Sequence, residues 1–241
     1  MAGVGATLTA DVWWAEASWI EAWHLDVLSP EERDRAASYR HEADRARFVV
    51  AATLLRLVVG ARVQVAPSQV PVRRRCAHCR APHGRPVIVG THLGVSVSHA
   101  PDLVVVAVSR DGAVGVDVEQ VRAIDLDTMT PMVLSAAEAT SSRSPDSFFR
   151  TWGRKGAVLK CLGTGLDVPM TALSLTRVAA GTHLASVPDG SGAHPVVVDL
   201  DAGPHHAAAL ALDPDDRRQE SPIAVHVTVH RAEVAAMFRP V

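Results

Sequence analysis

Asp117 and Glu119 stand two residues apart in the run GVDVE (115–119), and Lys155 and Lys160 stand five apart in WGRKGAVLK (152–160). On a strand, residues i and i+2 leave the same face, so the two carboxylates point together while Val116 and Val118 point the other way. Carboxylates that close repel unless a cation or a proton comes between them. Hard oxygen donors suit Mg²⁺, which takes one or two carboxylates and completes its shell with water and phosphate oxygens. A solvent-facing strand end is the other reading of the same pair. The lysines are the only two in 241 residues; the other twenty-two basic side chains are arginine. An ammonium is a compact, mobile charge suited to phosphate oxygens and able to donate a proton. Gly156 and Lys160, four apart, share a helix face. Carboxylates on a strand and lysines on a helix describe a metal-and-phosphate site, provided the fold brings them together.

The elements that must position these groups are legible in outline. LSPEERDRAASYRHEADRARFVVAATLLRLVVG (28–60) reads as helix: Ser29 as N-cap, Pro30 at the first helical position, Glu31 and Glu32 at the positive dipole end. The apolar stripe starts afresh at Phe48, which predicts a break near His41, and Gly60 predicts the stop. Short strands are expected at 94–98, 102–109 and 113–119, the first two joined by a turn at Ala100-Pro101-Asp102. A short helix and loop follow at 135–147, then a second amphipathic helix from about Asp146 to Leu162, stopped by Gly163. Strand signals return at LSLTRV, LASV, PVVVDL, AAALAL and AVHVTVH, with DPDDRRQESP as a polar loop. Strands that come in runs favour α+β over a doubly wound parallel sheet. Each half of the chain shows a long helix followed by antiparallel strands, a faint twofold echo.

Bulk properties exclude several classes. Hydrophobic residues make up 48% and charged residues 21%, as in a globular domain able to bury a core. A net charge of −2 argues against a general nucleic-acid binder. The run Arg73-Arg74-Arg75 is a local exception that reads as a solvated loop. The N-terminus has no signal-peptide pattern, and the longest apolar stretch is interrupted by Arg56 and Arg62, which falls short of a membrane span. Three cysteines fit a reduced, cytoplasmic protein. Cys76, Cys79 and His83 have a zinc-like spacing, with His78 or water for a fourth ligand; loop cysteines are the plainer reading. Ser98 and His99 are adjacent on a strand, face opposite sides, and cannot form a nucleophile–base pair. Trp13, Trp14, Trp19 and Trp23 read as packing residues.

GVDVE followed by FFRTWGRKGAVLK resembles the signature of the Sfp-type 4′-phosphopantetheinyl transferases, G-[IV]-D-x-E and then W-x-x-K-E-[AS]-x-x-K. LSPEERDRAASYRHEADRAR resembles the family's N-terminal helices, HGRP (83–86) its H/Y-G-K-P element and SVSHA (96–100) its S-H strand end, so the resemblance spans about residues 28–170. It implies two similar α/β halves in pseudo-twofold relation, each a small, mainly antiparallel sheet on a long helix, here 1–112 and 113–241, with coenzyme A in the cleft between them. It also implies a reaction: the hydroxyl of a carrier-protein serine attacks the β-phosphate of coenzyme A, phosphopantetheine is transferred, and 3′,5′-ADP leaves. Carried over position by position, Asp117 and Glu119 hold Mg²⁺ against the pyrophosphate. Lys155 and Lys160 contact phosphates, and Lys160 steadies the leaving group. Arg47, Arg85 and His99 gather around the 3′-phosphate; Ser98 with Gly84, Arg85 and Pro86 lines the nucleotide pocket; Arg35 is peripheral. The implied partners are acyl or peptidyl carrier proteins, met by arginines such as Arg122, Arg143 or Arg150. No nucleic acid or membrane partner is implied, and a monomer is expected.

The chain departs from that signature at Gly156, where the family has a glutamate that serves as third metal ligand and proposed general base. Two expectations follow: an active transferase whose Mg²⁺ keeps an extra water in the gap, or a coenzyme A- or carrier-binding paralogue with little catalysis. On the first, a glutamate at 156 should tighten Mg²⁺.

Overall fold

The computed structural model describes residues 7–76, 79, 81, 84–140, 144–188, 193–214 and 224–231. The fold is α+β, and the chain forms two compact units: residues 1–9 with 111–226, and residues 10–110 with 227–241. Among the described residues, no helix is long and apolar enough to cross a membrane.

The second of these units is built on a four-stranded sheet. It contains β1 (Thr7–Glu16), β4 (Gly94–His99), β5 (Leu103–Ser109) and β11 (Ala224–His230), in the order β11-β1-β5-β4. β1 runs antiparallel to β5, with Ala10 opposite Ser109 and Glu16 opposite Leu103; β5 pairs antiparallel with β4, with His99 opposite Val104. The N-terminal strand has no clear signal in the sequence; Trp13 and Trp14 lie on it and both are buried. The helical run divides as expected into α1 (Pro30–Ser38) and α2 (Glu42–Val63). Ser29 caps α1, its Oγ accepting from the Glu32 amide while Glu32 Oε2 accepts from the Ser29 amide.

Gly60 does not end α2. The helix continues to Val63, and the left-handed capping position is taken by Gln64 at φ 58°. Gly60 serves close packing instead: a Cβ there would lie 2.8 Å from the Val65 carbonyl oxygen. α2 carries Val50, Leu54, Leu55 and Val58 into a core with Trp13, Val95, Val104 and Val106. The stretch after α2 contains a small antiparallel pair, β2 (Val72–Arg74) with β3 (Pro86–Ile88).

The other unit holds a five-stranded antiparallel sheet: β6 (Gly112–Gln120), β10 (His206–Pro214), β9 (Val196–Leu200), β8 (Thr182–Ser186) and β7 (Ser174–Ala179), in that spatial order. α5 (Pro145–Leu162) lies on β6 and β10. It is capped at Ser144 and opened by Pro145, and it stops at Gly163 at φ 74°, as the sequence indicates for that end. Phe148, Phe149, Ala157 and Leu159 of the helix pack with Ala207, Ala209 and Ala211 of β10. Two short helices precede α5: α3 (Leu126–Val133), which lies outside the helices expected from the sequence, and α4 (Ala136–Ala139). The loop DPDDRRQESP lies mostly outside the described residues.

One buried ion pair ties α1 to α2. Arg56 is 1% exposed; its Nε donates to Glu32 Oε2 at 2.5 Å, and Nη1 donates to the carbonyls of Pro67 and Val70, each at 3.1 Å. Removing one partner strands the other charge in the interior, whereas replacing both leaves an apolar contact. Arg56→Met alone should cost roughly 3–5 kcal/mol in urea unfolding, and Arg56→Met combined with Glu32→Leu should cost much less. Equal losses in the two variants would show that the ion pair does not carry this contact.

Candidate active site

The acidic strand and the lysine helix meet because both backbones are stripped at the contact. Gly115 of β6 faces α5: a Cβ there would overlap the Ala157 carbonyl oxygen and the Cys161 nitrogen, with Cys161 Cα at 2.9 Å. Gly153 of α5 lies over β10, its Cβ position 3.6 Å from the Ala207 oxygen. Gly153, Gly156, Ala157 and Lys160 follow one another at helical spacing and form one face. Strand alternation then sends Gly115, Asp117 and Glu119 to the α5 side, while Val114, Val116 and Val118 are buried on the other.

Asp117 is 5% exposed, and its Oδ1 accepts from Lys160 Nζ at 2.6 Å. The Lys160 side chain remains about one-third exposed. Glu119, half-buried, has its carboxyl pushed up to about 7, first by burial and then by the Asp117 charge, while Lys160 and Arg122 pull it down. Arg122 is held near by its guanidinium lying over the Phe149 ring, 5.3 Å from the centroid. Two carboxylates on one face, one of them pushed towards its protonated form, match a hard divalent cation that brings water and phosphate oxygens of its own. Among the described residues, no group of three or more His, Cys, Asp or Glu is placed to hold a metal.

Lys155 does not join this group, which corrects its expected phosphate contact. Its side chain is fully buried, and Nζ donates to the Val133 carbonyl at 3.0 Å, the Met170 carbonyl at 2.9 Å and Glu138 Oε2 at 2.5 Å. An ammonium has three N–H donors, and these three acceptors use them. Burial pulls the Lys155 pKa down while Glu138 holds it up. Lys155 therefore fastens α5 to the end of α3, to α4 and to the turn at 170–172. Glu138, which sequence reasoning misses, does double service: it also closes a capping box by accepting from the Ser135 amide at 2.8 Å. The S-A-A-E spacing at 135–138 is the signal that could have found it.

Gly156 also differs from expectation. It does face Asp117, as the register of the helix requires, but no gap separates them. A Cβ at 156 would overlap Asp117 Oδ2 and lie 2.8 Å from Cγ. The Asp117 carboxylate itself fills the volume in which a side chain would begin.

The residues expected at the 3′-phosphate and the nucleotide lie in the other unit. Arg47 pairs with Asp44, and its Nη1 donates to the Pro101 carbonyl at 3.2 Å, which brings it to the β4–β5 turn just after His99. His99 is exposed and Ser98 buried, on opposite faces of β4. Gly84 allows a close passage: a Cβ there would overlap the Arg75 carbonyl and come within 2.7 Å of the Cys76 nitrogen. Arg85 is half-buried and Pro86 buried. Arg35 sits over the Phe48 ring at 4.9 Å and, with Arg73, Arg74, Ser29 and Glu31, lines a pocket of about 340 Å³. Arg74 is thus no solvated loop residue. Burial lowers its pKa, and its Nε is buried with no hydrogen-bond partner among the described residues. Such a donor suits an anion. Of the zinc-like set, Cys76 is half-buried and Cys79 exposed; His78 and His83 lie outside the described residues, as does Arg143.

Comparisons with known proteins point one way. A sequence profile of the 4′-phosphopantetheinyl transferase superfamily matches residues 113–211. The chain is similar to the 4′-phosphopantetheinyl transferase Sfp of Bacillus subtilis, at 23% identity over 79% of this chain and 85% of the relative. It is similar to the 4′-phosphopantetheinyl transferase HetI of Nostoc, at 28% identity over 68% of this chain and 75% of the relative. The 4′-phosphopantetheinyl transferase psf-1 of Bacillus pumilus matches at 26% identity over 67% and 69%.

The two lysines make the different fates of their ammonium groups directly measurable. With an amine-reactive reagent under native conditions, Lys160 should label at least about tenfold faster than Lys155, because only the first is reached by solvent and a buried group reacts through opening of the fold. Peptide mass spectrometry reads both sites. Equal rates would contradict the burial of Lys155.

Proposed function

We propose, from its similarity to the 4′-phosphopantetheinyl transferase superfamily and to the Sfp-type enzymes, that this chain moves the phosphopantetheine arm of coenzyme A onto a serine of acyl or peptidyl carrier proteins, in a Mg²⁺-dependent reaction that releases 3′,5′-ADP. The observation that carries this reading is the meeting of Asp117 with Lys160 at 2.6 Å, on a face that Glu119 shares. Asp117 and Glu119 would hold Mg²⁺. The metal, when bound, neutralises charge on the pyrophosphate. In the transfer, a bond forms between the serine oxygen and the β-phosphorus, and the bond from that phosphorus to the bridging oxygen breaks. The serine proton leaves to a base or water, and the electron pair goes to the α-phosphate of 3′,5′-ADP.

Lys160 stabilises that departing charge. Its ammonium is fixed by Asp117 beforehand, so little reorganisation is needed as the charge develops. Lys155 contributes by fixing α5, on which Gly156 and Lys160 ride. In the other unit, the pocket beside Arg35 and Arg74, together with Arg47 and His99, supplies basic groups for the 3′-phosphate, with Ser98, Gly84, Arg85 and Pro86 toward the nucleotide. Arg122, already placed near Glu119, and the half-exposed Arg150 offer positive charge to an acidic carrier protein.

Two experiments test these assignments. Asp117→Ala should abolish transfer to an apo carrier protein while leaving the far-ultraviolet circular dichroism unchanged; substantial turnover in that variant would remove the metal assignment. Arg47→Ala and His99→Ala should weaken coenzyme A at least about tenfold more than dephospho-coenzyme A, since a lost charge-assisted contact is worth about 1.5–3 kcal/mol and the shorter ligand lacks the 3′-phosphate. Calorimetry with both ligands reads the difference, and equal losses would place the two residues elsewhere.

A further inference from the structure

We propose that Gly156 is a positioning residue for Asp117. By carrying no side chain it holds open the volume that the Asp117 carboxylate occupies, so the site is built from two carboxylates and one ammonium, and a third side chain at position 156 is excluded. The metal part of this inference rests on the transferase reading; the packing part does not.

Three observations fix the geometry. A Cβ at 156 would overlap Asp117 Oδ2 and stand 2.8 Å from Cγ and 3.4 Å from Cβ, so the carboxyl group would have to shift at Oδ2 and Cγ. Asp117 has little freedom to do so, because Oδ1 is held by Lys160 at 2.6 Å and the residue is buried. The backbones cannot separate to relieve the overlap either. One residue pair along, Gly115 already rests on the peptide groups of Ala157 and Cys161, with no side chain left to yield. The strand therefore lends a glycine to the helix and the helix lends one back to the strand.

The charges lead to the same conclusion. Asp117 and Glu119 already place two carboxylates on one face of β6, with the Lys160 ammonium bound to the first. A glutamate at 156 would add a third negative charge where the Asp117 carboxylate lies, and would displace that carboxylate from Lys160. Gly156→Glu consequently should not act as a simple gain of a ligand. It trades the Asp117–Lys160 contact for a new one.

A double-mutant cycle separates packing with Asp117 from every other effect of a side chain at 156. Helix propensity alone predicts that Gly156→Ala raises the melting temperature. We expect it instead to fall by roughly 4 °C or more. In the Asp117→Ala background, Gly156→Ala should no longer lower it. Direct titration with Mn²⁺, followed by electron paramagnetic resonance, should show Gly156→Ala binding the metal at least about tenfold more weakly than the parent chain. A rise in melting temperature for Gly156→Ala, or the same fall in both backgrounds, would overturn the packing claim. Unchanged Mn²⁺ affinity, or no Mn²⁺ uptake by the parent chain, would overturn the metal claim and leave the packing result from the cycle intact. Should Gly156→Ala fail to fold, a double variant that folds like Asp117→Ala supports the proposal, and a double variant that also fails overturns it.

Discussion

The candidate site depends on how closely β6 and α5 approach. A helix on a sheet ordinarily stands off by the thickness of the side chains between them, and a carboxylate on the strand would then reach into the layer. Here Gly115 removes the spacer from the strand and Gly156 from the helix. The backbone atoms of the two elements meet directly, and the polar group that follows each glycine, Asp117 on one side and Lys160 on the other, finds its partner within 2.6 Å. Any side chain at either glycine would increase the separation and loosen that pair.

Such an approach is costly unless the helix is fixed in both position and rotation, and Lys155 supplies that constraint. Its ammonium bonds to a carbonyl at the end of α3, a carboxylate in α4 and a carbonyl at 170, and so adds directed polar contacts to the apolar packing of these segments against α5. Breaking such a buried ion pair one-sidedly is severely destabilising, so the contact selects one rotation of the helix. The chain's two lysines thus divide the work. Lys155 sets where α5 lies, and Lys160 faces the acidic strand. Both lie on one helix, but five residues turn the side chain by about 500°, or 140° after a full turn, which sends the two ammonium groups to different sides.

Much of this is legible in the sequence. The period-two alternation of GVDVE places Asp117 and Glu119 on one face, and the apolar period from about Asp146 with Gly163 as stop gives α5 to within a residue. The pairing of Asp117 with Lys160 follows once the fold is granted. The destination of Lys155 is not legible, because its partners lie 22, 17 and 15 residues away and two of them are backbone carbonyls that carry no residue signature. Gly156 can be seen to face Asp117, but whether a gap or a carboxylate fills the space depends on an interatomic separation that spacing cannot give. α3 is hidden by Pro131 inside the helix, and the stop expected at Gly60 fails because close packing, not capping, selects that glycine. The chain neighbours of Arg74 suggest a solvated residue, whereas it is buried near charged groups of α1 and α2, Glu32, Arg35 and Arg56.

Whether a site with two carboxylates, one of them held by a lysine, moves phosphopantetheine is decided most directly by intact-protein mass spectrometry of an apo carrier protein. The carrier is incubated with this chain, coenzyme A and Mg²⁺ at saturation. The account predicts a mass gain of one phosphopantetheine group on the carrier serine, lost when the metal is chelated and restored when Mg²⁺ is returned. A carrier that stays unmodified while coenzyme A binds would contradict it, and would mean that this chain holds the ligand without transferring it.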